Sequence, residues 1–226
     1  MSTSSESRQQ ILKRIYAATG SEADQPEQAA AQWSALPRGY IQAGSMSGEA
    51  RIERMVERLR EYDAEVSECE PEELAAAIAA QLKASGKRSI VAPAGLPPEW
   101  LAPGYDWKID RDLQTEEIEK AEGVLTACFC AIADSGTIVL HHSASEGRRV
   151  ITLLPDWHLC VLKASQVVET LPEYFARCQT PPALVTTISG PSATADIEMT
   201  RIKGVHGPRF MNVILVRDDR SKTRLN

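Results

Sequence analysis

Short runs rich in valine and isoleucine, separated by segments of helical periodicity, constrain this fold more than any other feature of the sequence. The apolar runs lie at residues 88–92, 123–133, 137–142, 150–154, 159–162 and 210–217, and we expect each to form a strand. The helical segments lie at residues 48–64, 71–85, 115–121 and 167–177. This alternation predicts an α/β fold whose sheet is covered by helices on both faces. Turns at Asp134-Ser135-Gly136 and around Arg148 predict antiparallel strands, which would make the sheet mixed.

Composition narrows the classes of partner. The 226 residues have a net charge of −6 at pH 7, and their lysines and arginines form no block, which argues against a nucleic-acid partner. The first residues are polar, and no apolar run approaches the roughly 18 residues of a membrane-spanning helix. We therefore expect a cytoplasmic protein without a membrane span. The five cysteines are scattered and odd in number, which predicts free thiols rather than a disulfide framework.

The chain divides into three parts by composition. Residues 1–45 contain a predicted helix at 7–18 and an arm at 19–40 that is rich in Ala, Gln, Glu and Pro. Such an arm is either mobile or laid across a partner, and the sequence leaves both open. Residues 46–220 form the predicted α/β domain, and residues 221–226 form a frayed tail.

The stretch at residues 183–208 is the strongest candidate for a binding site. It predicts a buried strand at 183–188, a loop of small residues at 189–195, a short helix at 196–203 and a glycine-proline loop at 204–208. Unpaired backbone amides and the positive end of a helix dipole favour an anion. No P-loop lysine or spaced glycines support ATP or NAD binding. The candidate ligand-binding residues here are Ser189, Gly190, Pro191, Ser192, Thr194, Asp196 and Gly207. The carboxylate of Asp196 either caps the helix or orients a ligand hydroxyl.

A second polar bend follows an earlier predicted strand. Its candidate ligand-binding residues are Ser135, Gly136 and Thr137. Because ligands bind beyond the carboxyl ends of strands in open α/β sheets, we expect both bends to share one pocket at that edge. Asp134 is either a turn residue or a carboxylate presented to this pocket. Arg148, with Arg149 beside it, either clamps a carboxylate or phosphate or lies in solvent.

The four histidines do not form a metal motif. His141 and His142 are adjacent, so on a strand they face opposite sides and cannot readily bind one ion. His158 begins a predicted strand, and His206 lies in the glycine-proline loop, where it either contacts a ligand or is structural. We predict no metal site, although one assembled from distant residues stays open. The candidate catalytic residues are Asp134 and His206.

Four segments resemble one known family: GVLTACFCAIADSGTIVL, RRVITLLPDWHLCVL, TTISGPSATADIE and GVHGP. Together they are similar to the LUD domain of the lactate utilization protein C family (LutC/YkgG). The resemblance implies a three-layer α/β/α fold of the NagB/RpiA/CoA-transferase type. It also implies a part in oxidising L-lactate to pyruvate, as the cluster-free subunit beside LutA- and LutB-like iron–sulfur proteins. No cofactor is then expected in this chain, because the iron–sulfur clusters belong to those partners.

Two positions depart from the family pattern. The family usually has Glu-Thr-Gly-Thr at the bend Asp134-Ser135-Gly136-Thr137, and the related CoA-transferases place a catalytic glutamate in a comparable turn. The family often has an arginine at Ala193. Two other functions stay open. One is a stand-alone transferase or ligase acting on a CoA-linked, phosphorylated or folate-like substrate. The other is an assembly module whose loops serve packing.

Overall fold

The chain falls into two compact units, residues 1–40 and residues 41–226. The computed structural model describes residues 4–19, 26–180, 182–194, 202–203 and 207–218. The first unit contains helix α1 (Ser4–Thr19) and helix α2 (Pro26–Ala35). Helix α2 lies within the segment that we expected to be an irregular arm. None of the side chains described in this unit is buried.

The second unit holds twelve strands and four helices among its described residues. The strands are β1 (Glu65–Cys69), β2 (Ser89–Pro93), β3 (Asp106–Asp110), β4 (Gly123–Thr126), β5 (Cys130–Ile132), β6 (Thr137–Leu140), β7 (Trp157–Lys163), β8 (Val167–Val168), β9 (Thr186–Ile188), β10 (Ala193–Thr194), β11 (Ile202–Lys203) and β12 (Phe210–Val216). The helices are α3 (Gly48–Glu61), α4 (Leu74–Ser85), α5 (Thr115–Glu119) and α6 (Leu171–Arg177). None of the described helices of the protein is long and apolar enough to cross a membrane.

Six strands form the main sheet in the order β1-β12-β7-β4-β2-β3, and all of them run parallel. The central strands β4, β7 and β12 are buried along almost their whole length. This burial agrees with their continuous apolar sequence, because a parallel sheet is covered on both faces. The α/β fold with helices flanking the sheet is thus confirmed.

Helices cover both faces of the main sheet. On one face, α3 packs its predicted apolar stripe of Ile52, Met55, Val56 and Leu59 against the sheet and the smaller sheet described below. Ser47 caps this helix, since its side chain accepts a hydrogen bond from the backbone N–H of Ala50. On the other face, α4 buries Leu74, Ile78 and Leu82.

The antiparallel strands β5, β6 and β9 form a second sheet, in the order β8-β5-β6-β9, instead of joining the main one. Its edge strand β8 pairs parallel with β5. The predicted turn at 134–136 does connect an antiparallel pair, β5 and β6. The turn predicted around Arg148 leads instead into a 3₁₀ turn (Arg149–Thr152), so the prediction of a strand at 150–154 is wrong. The predicted helix at 167–177 begins only at Leu171, because residues 167–168 pair with β5.

The predicted helix at 196–203 is wrong at its carboxyl end. Residues 202–203 form strand β11, which pairs antiparallel with β10. Residues 196–201 lie outside the described part of the chain.

Candidate functional site

A pocket of about 240 Å³ lies beside the loop that follows β9. Residues 187–193 form one side of it, the turn at residues 149–153 another, and Gly207 and Pro208 a third. The remaining side consists of His158 and Met211, the second residues of β7 and β12. The pocket therefore lies at the amino ends of these strands, and not at the carboxyl edge that we expected. The reason is that β9 belongs to the second sheet, to which the edge rule for the parallel sheet does not apply.

The two bends singled out in the sequence meet in three dimensions. Strands β6 and β9 pair antiparallel, with Ile138 opposite Ile188. This pairing brings Thr137 next to Ser189, and their hydroxyl oxygens lie 2.8 Å apart. The hydroxyl oxygen of Ser135 is also 2.8 Å from that of Thr137. Three hydroxyl groups thus connect the first bend to the pocket.

The remainder of the first bend packs against α3 and does not line the pocket. Gly136 has a φ of +61°, and a Cβ atom there would lie 2.6 Å from the Cβ of Arg58. Asp134 is exposed, and its backbone N–H donates to the carbonyl of Glu169 at 3.0 Å. Of this bend, only the hydroxyl chain that ends at Ser189 reaches the pocket lining.

Gly190 also lies in close contact with the end of α3. Its φ is +78°, and an added Cβ atom would lie 2.5 Å from the Cβ and 2.7 Å from the carbonyl oxygen of Tyr62, just beyond α3. The sequence suggested that this glycine permits close approach of a ligand. The structure shows that the close approach is made by the backbone of Tyr62.

Of the two neighbouring arginines, Arg149 and not Arg148 lines the pocket. The Arg148 guanidinium donates two hydrogen bonds to the buried carboxylate of Asp110, at 2.9 and 2.6 Å, and one to the carbonyl of Leu113 at 2.8 Å. These hydrogen bonds to Asp110 raise the pKa of Arg148. Arg148 is therefore held by a structural ion pair, whereas Arg149 supplies a positive charge to the pocket.

His158 is a pocket residue that the sequence did not single out as a ligand-binding group. It is 1% exposed, and its Nε2 atom lies 2.8 Å from the hydroxyl oxygen of Thr126. Burial lowers the pKa of His158 to about 4, so the imidazole is neutral at pH 7. The signal available in the sequence was a titratable side chain inside an otherwise apolar run.

The far side of the loop is held by residues 207–208. The backbone N–H of Ser192 donates to the carbonyl of Pro208 at 2.8 Å. Gly207 has a φ of +143°, and a Cβ atom there would lie 3.6 Å from the Cβ of Ser192. Both Ser192 and Gly207 line the pocket, as does Pro191, whereas the backbone of Thr194 pairs in the β10–β11 ribbon.

Two predicted site residues, Asp196 and His206, lie outside the described part of the chain. Their roles as ligand-binding and catalytic groups stay predictions.

The adjacent histidines have structural partners. The ring nitrogens of His142 lie 2.8 Å from the carbonyl oxygen of Gly147 and 2.8 Å from the hydroxyl oxygen of Thr186. The ring of His141 stacks on Phe129, with its Nε2 atom 3.0 Å from the phenol oxygen of Tyr174. Across the described residues, no three His, Cys, Asp or Glu side chains are grouped so that they could hold a metal ion.

The chemistry of the pocket suits a small anion. Of the lining residues that the structure describes, Arg149 is the charged one, and none is a carboxylate. The hydroxyl groups of Thr152, Thr187, Ser189 and Ser192 supply hydrogen-bonding capacity around it. A concave site with one cation and several hydroxyl groups can orient a carboxylate or a phosphate.

Comparison with known proteins identifies the family. The LUD domain matches residues 52–216. A lactate utilization protein C of Deinococcus radiodurans is 39% identical over 186 residues, which cover 80% of this chain and 86% of that protein. The lactate utilization protein C of Bacillus subtilis is 36% identical over 134 residues, and an Escherichia coli protein named uncharacterized protein YkgG is 35% identical over 114 residues. These two matches span 55% and 48% of those relatives.

A solved structure has the same fold. The crystal structure of a DUF162 family protein from Deinococcus radiodurans superposes with a TM-score of 0.63 at 33% sequence identity. The match covers 76% of this chain and 99% of the solved one. From the domain match over most of its length and from the similarity to these relatives, the chain belongs to the LUD domain family.

Proposed function

We propose that this protein takes part in lactate utilization, as the cluster-free subunit of a system that oxidises L-lactate to pyruvate, and that its pocket binds the small carboxylate. The observation that carries the proposal is a pocket with one arginine, several hydroxyl groups and no described carboxylate. This pocket occurs in a chain 39% identical to a protein named lactate utilization protein C.

Lactate and pyruvate each present one carboxylate and one further oxygen at the neighbouring carbon. The guanidinium of Arg149 can donate two parallel hydrogen bonds to such a carboxylate. Ser189 lies in the same lining, and its hydroxyl can donate to one of the remaining lone pairs. The hydroxyl of Thr152 instead donates to the carbonyl of Arg149 at 3.1 Å. The neutral ring of His158 can exchange a hydrogen bond with the second oxygen without adding charge.

The oxidation removes two electrons and two protons from lactate, so the system needs an electron acceptor. The cysteines of this chain do not suit an iron–sulfur cluster, which is held by four grouped thiolates. Cys128, Cys130 and Cys160 are buried among apolar side chains, and burial raises the pKa of Cys130 to about 12, which disfavours its thiolate. We therefore assign the clusters to LutA- and LutB-like iron–sulfur partners, and the binding and orientation of the small anion to this chain.

Titration calorimetry with L-lactate and pyruvate tests the binding site, with two adjacent arginines as a matched pair. Arg149→Gln removes the one charge among the described lining residues, and we expect it to weaken binding by about tenfold or more, the loss of a charge-assisted hydrogen bond. Arg148→Gln leaves the pocket unchanged but deprives the buried carboxylate of Asp110 of its partner. It should lower the free energy of unfolding without changing the affinity. Equal affinities of the two variants for these acids would contradict the assignment of Arg149 to the binding site.

Growth on L-lactate tests the pathway. Deleting the gene should abolish growth on L-lactate as the carbon source, and the wild-type gene should restore it while the Arg149→Gln gene does not. We also expect this protein to copurify with iron–sulfur proteins from the wild-type strain. Normal growth of the deletion strain, with no second LUD-domain gene to substitute, would refute the role.

A thermal-shift screen separates this function from a stand-alone transferase or ligase. A ligand present at 100 times its Kd stabilises a protein by about 2.7 kcal/mol, which is easily measured. Stabilisation by CoA-linked, phosphorylated or folate-like compounds, with none by lactate or pyruvate, would favour the transferase or ligase.

A further inference from the structure

A chain of three hydroxyl groups runs from the surface to the pocket, through Ser135, Thr137 and Ser189. Its two oxygen–oxygen distances are both 2.8 Å, within the usual range for hydroxyl hydrogen bonds. Ser135 is exposed, Thr137 is 8% exposed, and Ser189 lines the pocket. Thr137, which carries the middle hydroxyl, is not a lining residue, and among the described residues it is connected to the ligand site through Ser189.

Such a chain has a direction, because each hydroxyl group carries one proton and can donate only one hydrogen bond. In one direction, Ser189 donates to Thr137, and only its lone pairs are left to face the pocket. In the other direction, Ser135 donates to Thr137 and Thr137 donates to Ser189, so the proton of Ser189 is left for a ligand. A carboxylate accepts hydrogen bonds and donates none, and it is compatible only with the second direction.

We propose that Thr137 is a positioning residue, whose hydroxyl donates to Ser189 and thereby makes Ser189 a hydrogen-bond donor to a carboxylate in the pocket. This inference rests on the proposed function, since it takes the ligand to be an anion. It assigns a role to the bend at residues 134–137, whose other residues pack against α3 or lie in solvent. The exposed hydroxyl of Ser135 completes the chain, because its lone pairs can accept from water while its proton goes to Thr137.

The direction also strengthens the contact with the ligand. Hydrogen bonds in a chain polarise one another, so a Ser189 hydroxyl that accepts from Thr137 is a better donor than an isolated one. The strand pairing of β6 with β9 places the backbones of Thr137 and Ser189 side by side, just beyond the paired residues Ile138 and Ile188.

The test measures the affinity for L-lactate and pyruvate by calorimetry in variants of the chain. Thr137→Val keeps the shape of the side chain and removes its hydroxyl, and we expect a weakening of about fivefold, the effect of one net hydrogen bond. Thr137→Ser keeps the hydroxyl and should restore the wild-type affinity. In a Ser189→Ala background, Thr137→Val should have no further effect, because its partner is already gone.

Thr186→Val is the matched control for stability. Thr186 is also a buried threonine on the β6–β9 ladder, but its hydroxyl pairs with His142 and lies outside the pocket lining. It should lower the free energy of unfolding as Thr137→Val does, yet leave the affinity unchanged.

Each outcome decides either the proposed ligand or the positioning role of Thr137. If the wild-type protein binds neither acid, the proposed ligand is refuted, and the positioning role with it. If the wild-type protein binds and Thr137→Val binds equally well, or if its effect adds in full to that of Ser189→Ala, the positioning role is refuted while the proposed function stands.

Discussion

The substitution Gly190→Ala tests how the pocket loop is held against the end of α3. Two costs are expected. The first is conformational, because Gly190 has a φ of +78°, and alanine in the left-handed region costs roughly 1–2 kcal/mol. The second is steric, because the new methyl group would lie 2.5 Å from the Cβ and 2.7 Å from the carbonyl oxygen of Tyr62.

The steric cost follows from ordinary contact distances. Nonbonded carbon atoms are most stable about 3.5–4.0 Å apart, so the loop and Tyr62 must separate by roughly 1 Å. Overpacking of this kind costs roughly 1–3 kcal/mol, which brings the total for Gly190→Ala to about 2–5 kcal/mol. A displacement of about 1 Å also misplaces the neighbouring pocket groups, and we expect binding of pyruvate to weaken by about tenfold or more.

Gly86→Ala is the matched control. Gly86 ends α4 with a φ of +68°, and an added Cβ atom would meet no atom of the described residues within 4 Å. Gly86→Ala should therefore lower the free energy of unfolding by the conformational cost alone, which is roughly 1–2 kcal/mol. Urea unfolding followed by tryptophan fluorescence gives both free energies. If Gly190→Ala loses no more stability than Gly86→Ala and keeps its affinity, the packing of the loop on Tyr62 is refuted.

Two further predictions concern stability. Glu169 is 7% exposed, and its carboxylate accepts hydrogen bonds from the backbone N–H groups of Ser45 and Met46, at 3.0 and 2.6 Å. Glu169→Gln turns one acceptor into a donor, so we expect the free energy of unfolding in urea to fall by about 2–4 kcal/mol, with faster hydrogen exchange at those two amides. An unchanged stability would contradict the role of Glu169 in holding this backbone segment. The pKa of His158 is about 4 in the folded protein, against 6.5 for an ordinary histidine. As the pH falls, the unfolded chain therefore binds a proton at a higher pH than the folded protein does. Stability should therefore be constant above about pH 6.5 and fall by about 3 kcal/mol as the pH drops from there to about 4, and His158→Gln should remove this part of the pH dependence; identical pH profiles for the two proteins would count against a buried neutral imidazole.

The sequence predicted local structure well where the structure of an element depends on residues close together in the chain. The stripe of Ile52, Met55, Val56 and Leu59 determined which face of α3 is buried, because the 3.6-residue period of a helix places these side chains on one side. The tight turn at Gly136 followed from its neighbours for the same local reason.

Assignments that depend on pairing between distant segments could not be made in this way. Arg148 and Arg149 are neighbours of identical chemistry, and only the position of Asp110 in space decides which of them is held in an ion pair and which lines the pocket. The same holds for His158, whose role depends on the threonine of the neighbouring strand and on the loop after β9.

By itself, then, the order of residues determined the alternation of helices and strands, the buried faces and the two polar bends, since each depends on contacts between residues close together in the chain. The tertiary structure decided that β5, β6, β8 and β9 form a second sheet and that the pocket lies at the amino ends of β7 and β12. It also decided that the first bend reaches the pocket through Ser189 and not through Asp134. These outcomes depend on which distant strands pair, and that choice is made by the burial of the whole core rather than by any one segment.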